Sequence, residues 1–117
     1  MHAETEVVGD TVVVTLLEPR LDGARGLKLR QKVAELAAGG TRSILLDLTA
    51  VEFVDSTGLG AIVSSLKLLG KGGRFQLCGL SQPVRVLLRL TRMDQVFKSF
   101  ARREDALMAA GSPCSPV

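Results

Sequence analysis

Small polar residues, Asp55-Ser56-Thr57-Gly58, stand where an apolar, strand-like segment gives way to a helical one. Aspartate and serine are preferred at helix N-caps, so either Asp55 or Ser56 is expected to cap the helix that follows. The free N–H groups of the first helical turn and the helix dipole make such a position receptive to an anion. The pattern therefore predicts either plain capping, the common use of these residues in turns, or a serine hydroxyl displayed at the positive end of a helix.

Asp22 is a second acidic candidate, because it precedes the first helical segment of the chain. Its type and position predict an N-cap for that helix. Capping the helix does not exclude a role in partner binding, so the two roles can coexist at Asp22.

Catalysis is not expected. The single histidine, His2, stands at the N-terminus, and Ser56 lies outside a Gly-x-Ser-x-Gly elbow. Gly58-Leu59-Gly60 lacks the third glycine of a dinucleotide fingerprint, and the sequence has no Gly-Lys-Ser/Thr phosphate loop. Cys78 and Cys114 show no zinc spacing and are expected to be free thiols. The sequence predicts neither a metal site nor a cofactor.

The first third of the chain predicts a hairpin and a helix. Apolar and β-branched residues from Thr5 to Leu17 are interrupted at Gly9-Asp10, as in two antiparallel strands joined by a tight turn. A helix is expected after Asp22, although Gly23 and Gly26 lower its propensity and predict a loose first turn. Its apolar stripe comprises Leu29, Val33, Leu36 and Ala37.

The centre of the chain predicts a buried strand and the clearest helix. Residues Ser43 to Leu48 form a short apolar run, as in a central strand buried on both faces. The helix after Asp55 has an apolar stripe of Leu59, Ile62, Val63, Leu66 and Leu69. Its other positions, expected on a solvated or partner-binding face, are Ser64, Ser65, Lys67 and Lys71.

The last third predicts a strand over residues 74–78, a helix capped by Ser81 and ending near Leu90, a strand over 96–100 and a helix over 103–110. Strands that alternate with helices after a hairpin predict an α/β fold. We expect a mixed, mainly parallel sheet of about five strands with about four helices. Residues 1–110 are expected to form one domain, followed by a disordered tail over 111–117.

Charge and composition argue against nucleic-acid binding. The net charge is +3, the basic residues are scattered, and the chain has neither Trp nor Tyr on which bases could stack. No apolar stretch approaches the ~18 residues of a membrane span, and no signal peptide opens the chain, so we expect a cytoplasmic protein without a membrane partner.

The segments around these candidates resemble the STAS family, named for sulfate transporters and anti-sigma factor antagonists. Leu46-Asp47-Leu48 followed by residues 53–60 resembles the family signature. Arg20-Leu21-Asp22, residues 30–33 and residues 72–80 resemble further family segments, so the likeness covers roughly residues 4 to 109. Pro19, Gly23, Gly26 and Arg102-Arg103 depart from the common family pattern.

The resemblance implies a STAS-type fold and the function of a stand-alone anti-sigma factor antagonist, a non-enzymatic phosphoprotein that regulates transcription in bacteria. In such antagonists the first hydroxyl residue after the motif aspartate, here Ser56, is phosphorylated by an anti-sigma factor serine kinase. The unphosphorylated form binds that kinase and frees the sigma factor, the phosphorylated form dissociates, and a metal-dependent serine phosphatase resets the cycle. The resemblance places these residues at the partner surface: Asp22, Asp55, Ser56, Thr57, Gly58, Leu59 and Gly60.

A phosphate on Ser56 would add about −1.5 to −2 charges. If the fold brings Asp22 beside Asp55, these like charges would oppose a close protein interface, while the helix end would tolerate the phosphate within the monomer. The alternative that the family allows is a STAS interaction subunit of a lipid-transport ATPase or of a stressosome-like scaffold, because one domain serves in several assemblies.

Overall fold

The computed structural model describes residues 2–70 and 72–110, with an alternation of strands and helices along the chain. The strands are β1 (Ala3–Val8), β2 (Thr11–Leu16), β3 (Arg20–Leu21), β4 (Ser43–Asp47), β5 (Phe53–Val54), β6 (Arg74–Cys78) and β7 (Lys98–Phe100). The helices are α1 (Gly23–Ala38), α2 (Ser56–Leu69), α3 (Gln82–Leu90) and α4 (Arg103–Ala110), with a 3₁₀ turn at Met93–Gln95.

Five of the strands within the described residues form one mixed sheet in the order β1-β2-β4-β6-β7. The first pair is antiparallel because its strands are joined by a tight turn, in which Gly9 adopts a φ of +62°. The remaining neighbours are parallel, since each is reached by a crossover that contains a helix or a longer connection. The mixed α/β architecture predicted from the sequence is confirmed.

The main core lies between one face of this sheet and α1, α2 and α3. Val12, Val14 and Leu16 of β2 point into it, and the alternating residue Val13 points to the opposite face. There Val13 packs with Leu45, Cys78 and Ala106 of α4. Both β2 and β4 are therefore buried on both faces, which for β4 confirms the predicted central strand.

Two polar positions of the helices differ from their prediction. Ser65 was predicted on the exposed side of α2 but is fully buried, because its hydroxyl donates to the Ala61 carbonyl oxygen at 2.8 Å and is thereby satisfied inside the helix. Ser81 occupies the N-cap position of α3 without a side-chain capping bond. Its hydroxyl donates instead to the carbonyl oxygen of Glu52, at 3.1 Å.

Gly26, predicted to loosen α1, is a packing residue. A Cβ at this position would lie 2.6 Å from the Ala61 Cβ, so the absence of a side chain lets α1 and α2 approach closely. The last strand begins at Lys98, two residues later than predicted, because Val96 belongs to the end of the 3₁₀ turn. Lys71, Cys114 and the predicted tail lie outside the described residues.

An ion pair between the buried Asp47 and the half-buried Arg103 connects α4 to the carboxyl end of β4. The Arg103 guanidinium donates to Asp47 Oδ2 from Nη2 at 2.8 Å and from Nε at 3.1 Å, and it also donates to Thr15 Oγ1 at 2.6 Å. The other Asp47 oxygen accepts from the backbone N–H and the hydroxyl of Thr49. Burial would raise the pKa of Asp47, but the hydrogen bonds from Thr49 and Arg103 outweigh that effect and hold the pKa below its usual value.

The free Cys78 thiol lies near this ion pair. Burial, followed by the nearby Asp47 charge, raises the pKa of Cys78 to about 12, so the thiol is protonated at neutral pH.

Replacement of Asp47 by Asn should lower the free energy of unfolding by about 2 kcal/mol at pH 7, because charge-assisted bonds to Arg103 are lost. The folded-state pKa lies below the unfolded-state value near ~4. The stabilisation is therefore fully present above about pH 4 and is lost as the pH falls through the folded-state pKa. Urea unfolding at pH values from 7 down to 2 should show that the difference in the free energy of unfolding between wild type and Asp47→Asn becomes smaller. A difference that stays constant with pH would contradict an electrostatic origin of the stabilisation by Asp47.

Candidate functional site

The two acidic candidates meet because two short strands pair. β3 and β5 run parallel in a separate two-stranded sheet, with Leu21 opposite Val54, and the Asp55 N–H donates to the Leu21 carbonyl oxygen at 3.2 Å. Asp22 and Asp55 are the residues that follow this paired position. The pairing was not predicted from the sequence, since two residues are too few to show a strand periodicity. It places both carboxylates at one end of adjacent strands.

Each carboxylate caps the helix that follows it. Asp22 Oδ1 accepts from the Arg25 N–H at 3.0 Å, and Asp55 Oδ1 accepts from the Gly58 N–H at 2.7 Å. Of the two predicted candidates, Asp55 and not Ser56 is therefore the N-cap of α2. The predicted N-cap role of Asp22 is confirmed. Ser56 becomes the first residue of the helix, in its positive first turn.

Hydrogen bonds keep both carboxylates ionised at neutral pH. The pKa of Asp55 is lowered first by the hydroxyl of Thr57 and then by the Gly58 N–H. The pKa of Asp22 is lowered chiefly by the Arg25 N–H, while the negative charge of Asp55 acts in the opposite direction. That opposing effect reflects the proximity of the two carboxylates. The Arg25 guanidinium donates to Asp22 Oδ2 at 2.9 Å, so this surface carries an Asp22–Arg25 ion pair beside the negative charge of Asp55.

The two neighbouring hydroxyls differ in their bonding. Thr57 Oγ1 donates to Asp55 Oδ1 at 2.6 Å. The exposed Ser56 hydroxyl makes no hydrogen bond with any residue in the described ranges, 2–70 and 72–110. Ser56 therefore presents an unengaged hydroxyl to solvent, whereas the Thr57 hydroxyl is held by the capping carboxylate.

Some of the predicted partner-binding residues can act only indirectly. Gly58 and Leu59 are buried, since Leu59 belongs to the apolar stripe of α2 and Gly58 packs against Leu21. Gly60 is exposed and its Cα faces open space. The accessible part of the predicted set is Asp22, Asp55, Ser56, Thr57 and Gly60, with Asp22 half-buried.

A groove that the sequence did not reveal lies beside Asp22, between the β3–β5 pair and the start of α3. It has a volume of about 890 Å³, and its apolar lining includes Pro19, Phe53 and Pro83. The Phe53 ring is 51% exposed, and the Arg20 guanidinium lies over it at 5.5 Å from the ring centroid. Aromatic side chains and arginines are enriched in protein–protein interfaces, and this groove presents both at its surface.

Among the residues that the structure describes, no group of three or more His, Cys, Asp or Glu side chains is arranged to hold a metal ion. A helix long and apolar enough to cross a membrane is likewise absent from that part of the chain. What the site offers chemically is a free hydroxyl, two carboxylates and a partly apolar groove.

Comparisons with known proteins show which family and which proteins the chain resembles. Residues 2–106 match the family described as the STAS domain. The chain is 29% identical to the anti-sigma F factor antagonist of Paenibacillus polymyxa, covering 82% of this chain and 84% of that one. It is 26% identical to the anti-sigma-F factor antagonist RsfB of Mycobacterium tuberculosis, over 82% and 79% of the two chains. A crystal structure of an anti-sigma factor antagonist from Mycobacterium paratuberculosis superposes with a TM-score of 0.83 at 27% identity, covering 92% of each chain.

Proposed function

This chain belongs to the STAS domain family, and from that premise we propose that it is an anti-sigma factor antagonist switched by phosphorylation of Ser56. The unphosphorylated protein binds an anti-sigma factor serine kinase in the cytoplasm and so releases the sigma factor. Phosphorylation at Ser56 ends that binding, and a metal-dependent serine phosphatase restores it. The names of the relatives support the antagonist role, and the residues of this chain support the site.

The observation that carries the proposal is the unequal bonding of the two adjacent hydroxyls. A phosphate acceptor needs a hydroxyl that a kinase can reach and deprotonate, and the exposed Ser56 hydroxyl is unengaged within the described residues. Phosphorylation of Thr57 would first have to break its 2.6 Å bond to Asp55. Ser56 is therefore the favoured acceptor.

The surroundings of Ser56 explain how a phosphate would act. Within the monomer, the α2 N-terminus would stabilise it by about 0.3 to 1 kcal/mol, so the fold is expected to stay intact. Toward a partner, about −1.5 to −2 further charges would join those of Asp22 and Asp55. A partner shaped to meet two carboxylates and a small hydroxyl would then face both bulk and like-charge repulsion.

Incubation with the cognate anti-sigma factor kinase and ATP should add one phosphate at Ser56. The kinase can be obtained by pull-down from the native cell extract, and the site read by mass spectrometry of the intact and digested protein. Ser56→Ala should accept no phosphate, whereas the matched control Thr57→Ala should still accept one, since it frees Asp55 but leaves the Ser56 hydroxyl in place. Phosphate found on Thr57 in the wild type would refute the site assignment. A pull-down that returned a lipid-transport ATPase subunit or a scaffold protein and no kinase would refute the switching cycle.

A further inference from the structure

The outer face of α3 combines exposed apolar and basic side chains. We define the α3 outer face as Pro83, Arg85, Val86, Arg89 and Leu90. Val86 and Leu90 are one helical turn apart and are 39% and 76% exposed, while Val84 and Leu88 hold the helix to the core from the other side. Val86 and Leu90 thus form a small contiguous apolar surface on one side of the helix.

The basic half of this face is not neutralised by the rest of the described chain. Arg85 and Arg89 are exposed, also one turn apart, and form no ion pair with any residue in the two described ranges. The α3 sequence, from Gln82 to Leu90, contains no acidic residue. A partner that covers the face must therefore bring its own negative charges.

The α3 outer face is continuous with the groove beside Asp22. Pro83 belongs to both, and Phe53 of β5 also lines the groove. The helix also packs against β5, whose next residue is Asp55. A protein bound at Ser56 can therefore reach α3 across the groove without leaving the surface.

We propose that the α3 outer face binds an acidic, amphipathic segment of the anti-sigma factor that docks at Ser56, which makes it a second half of that interface. This inference rests on the proposed function. Acidic side chains of the partner pair with Arg85 and Arg89, and its apolar side chains cover Val86 and Leu90. The partner's surface is thus of mixed sign, since at the other end of the footprint it must also meet the negative Asp55 and the Asp22–Arg25 ion pair.

Other occupants fit this face less well. A second copy of the chain, related by a twofold axis through the face, would bring arginines against arginines. A membrane would gain little, because two aliphatic side chains and a few arginines on a nine-residue helix give only weak interfacial binding. A mixed acidic and apolar protein segment satisfies both halves of the face at once.

Calorimetric titration with the purified anti-sigma factor tests the inference. Arg85→Glu/Arg89→Glu should weaken binding about tenfold and Leu90→Ser several-fold, and the salt dependence of the affinity should be reduced in the double variant. The matched control is Lys28→Glu/Arg30→Glu, which makes the same change in net charge at exposed α1 positions and should stay within about twofold of wild type. Circular dichroism checks that each variant is folded.

The binding results distinguish a role of the α3 outer face from the proposed function at Ser56. If Ser56→Asp weakens binding while the α3 variants bind like wild type, the α3 inference is overturned and the proposed function stands. If the wild type binds no anti-sigma factor, both fall. Flotation with phosphatidylglycerol vesicles that is lost in Arg85→Glu/Arg89→Glu would assign the face to a membrane. A wild-type dimer in sedimentation that is lost in Leu90→Ser would assign it to a second copy, and either result overturns the inference.

Discussion

Ser56→Asp is expected to weaken binding to the anti-sigma factor by about 100-fold, equivalent to about 2.7 kcal/mol. The substitution adds a carboxylate to a surface where Asp22 and Asp55 are already ionised and close enough to affect one another. A third negative charge imposes on the partner the repulsion that a phosphate would impose, although with a smaller charge. Ser56→Ala should bind as wild type does and, unlike wild type, should remain bound after ATP is added to a complex with active kinase.

Two measurements make this result specific to the position. Gln31→Glu adds the same single charge at an exposed site on α1 and should leave the affinity within about twofold of wild type. The midpoint of thermal unfolding of Ser56→Asp should not fall, because an acidic residue in the first turn of a helix is favourable. Equal affinity of wild type, Ser56→Ala and Ser56→Asp would exclude a switch at this residue.

The sequence predicted the fold well wherever the pattern was long enough to read. The apolar stripe of α2 extends from Leu59 to Leu69, and the continuous apolar runs of β2 and β4 mark strands of five or six residues. The β3–β5 pair was not predicted, because strands of two residues are too short to show a periodic pattern of apolar residues. This short pair is what brings Asp22 and Asp55 together. Their proximity could therefore not be predicted from the sequence pattern and was expected only on the condition that the fold brings them together.

Single residues were misread where packing overrode local propensity. Gly26 has a low helix propensity, yet a Cβ at this position would lie only 2.6 Å from the Ala61 Cβ, so the packing of α1 on α2 favours glycine there. The local sequence does not show this tertiary contact. Ser65 is polar but satisfies its hydroxyl within its own helix, so burial costs it little. The groove beside Asp22 is built by residues from three separate segments, and the exposure of Phe53 could not be predicted from its apolar type.

Gly58, two residues after Ser56, is required for the close packing of α2 against β3. An added Cβ at Gly58 would overlap the carbonyl oxygen of Leu21 and would lie 2.9 Å from the carbonyl carbon. These are backbone atoms of β3, so they can move only if the β3–β5 pairing moves with them. Gly58→Ala should therefore lower the free energy of unfolding by about 3 kcal/mol, despite the better helix propensity of alanine.

Gly60→Ala is the matched control for this substitution, since it changes the same residue type in the same helix. A Cβ at Gly60 meets no atom within 4 Å, so only the propensity gain of ~0.5–1 kcal/mol should remain and the variant should be more stable than wild type. Urea unfolding of the two variants should thus give changes of opposite sign. Two stabilising changes would show that α2 is not held against Leu21. Leu21 directly precedes Asp22, so a shift of β3 would move Asp22 relative to Asp55, and Gly58→Ala should also weaken partner binding even under conditions where it is fully folded.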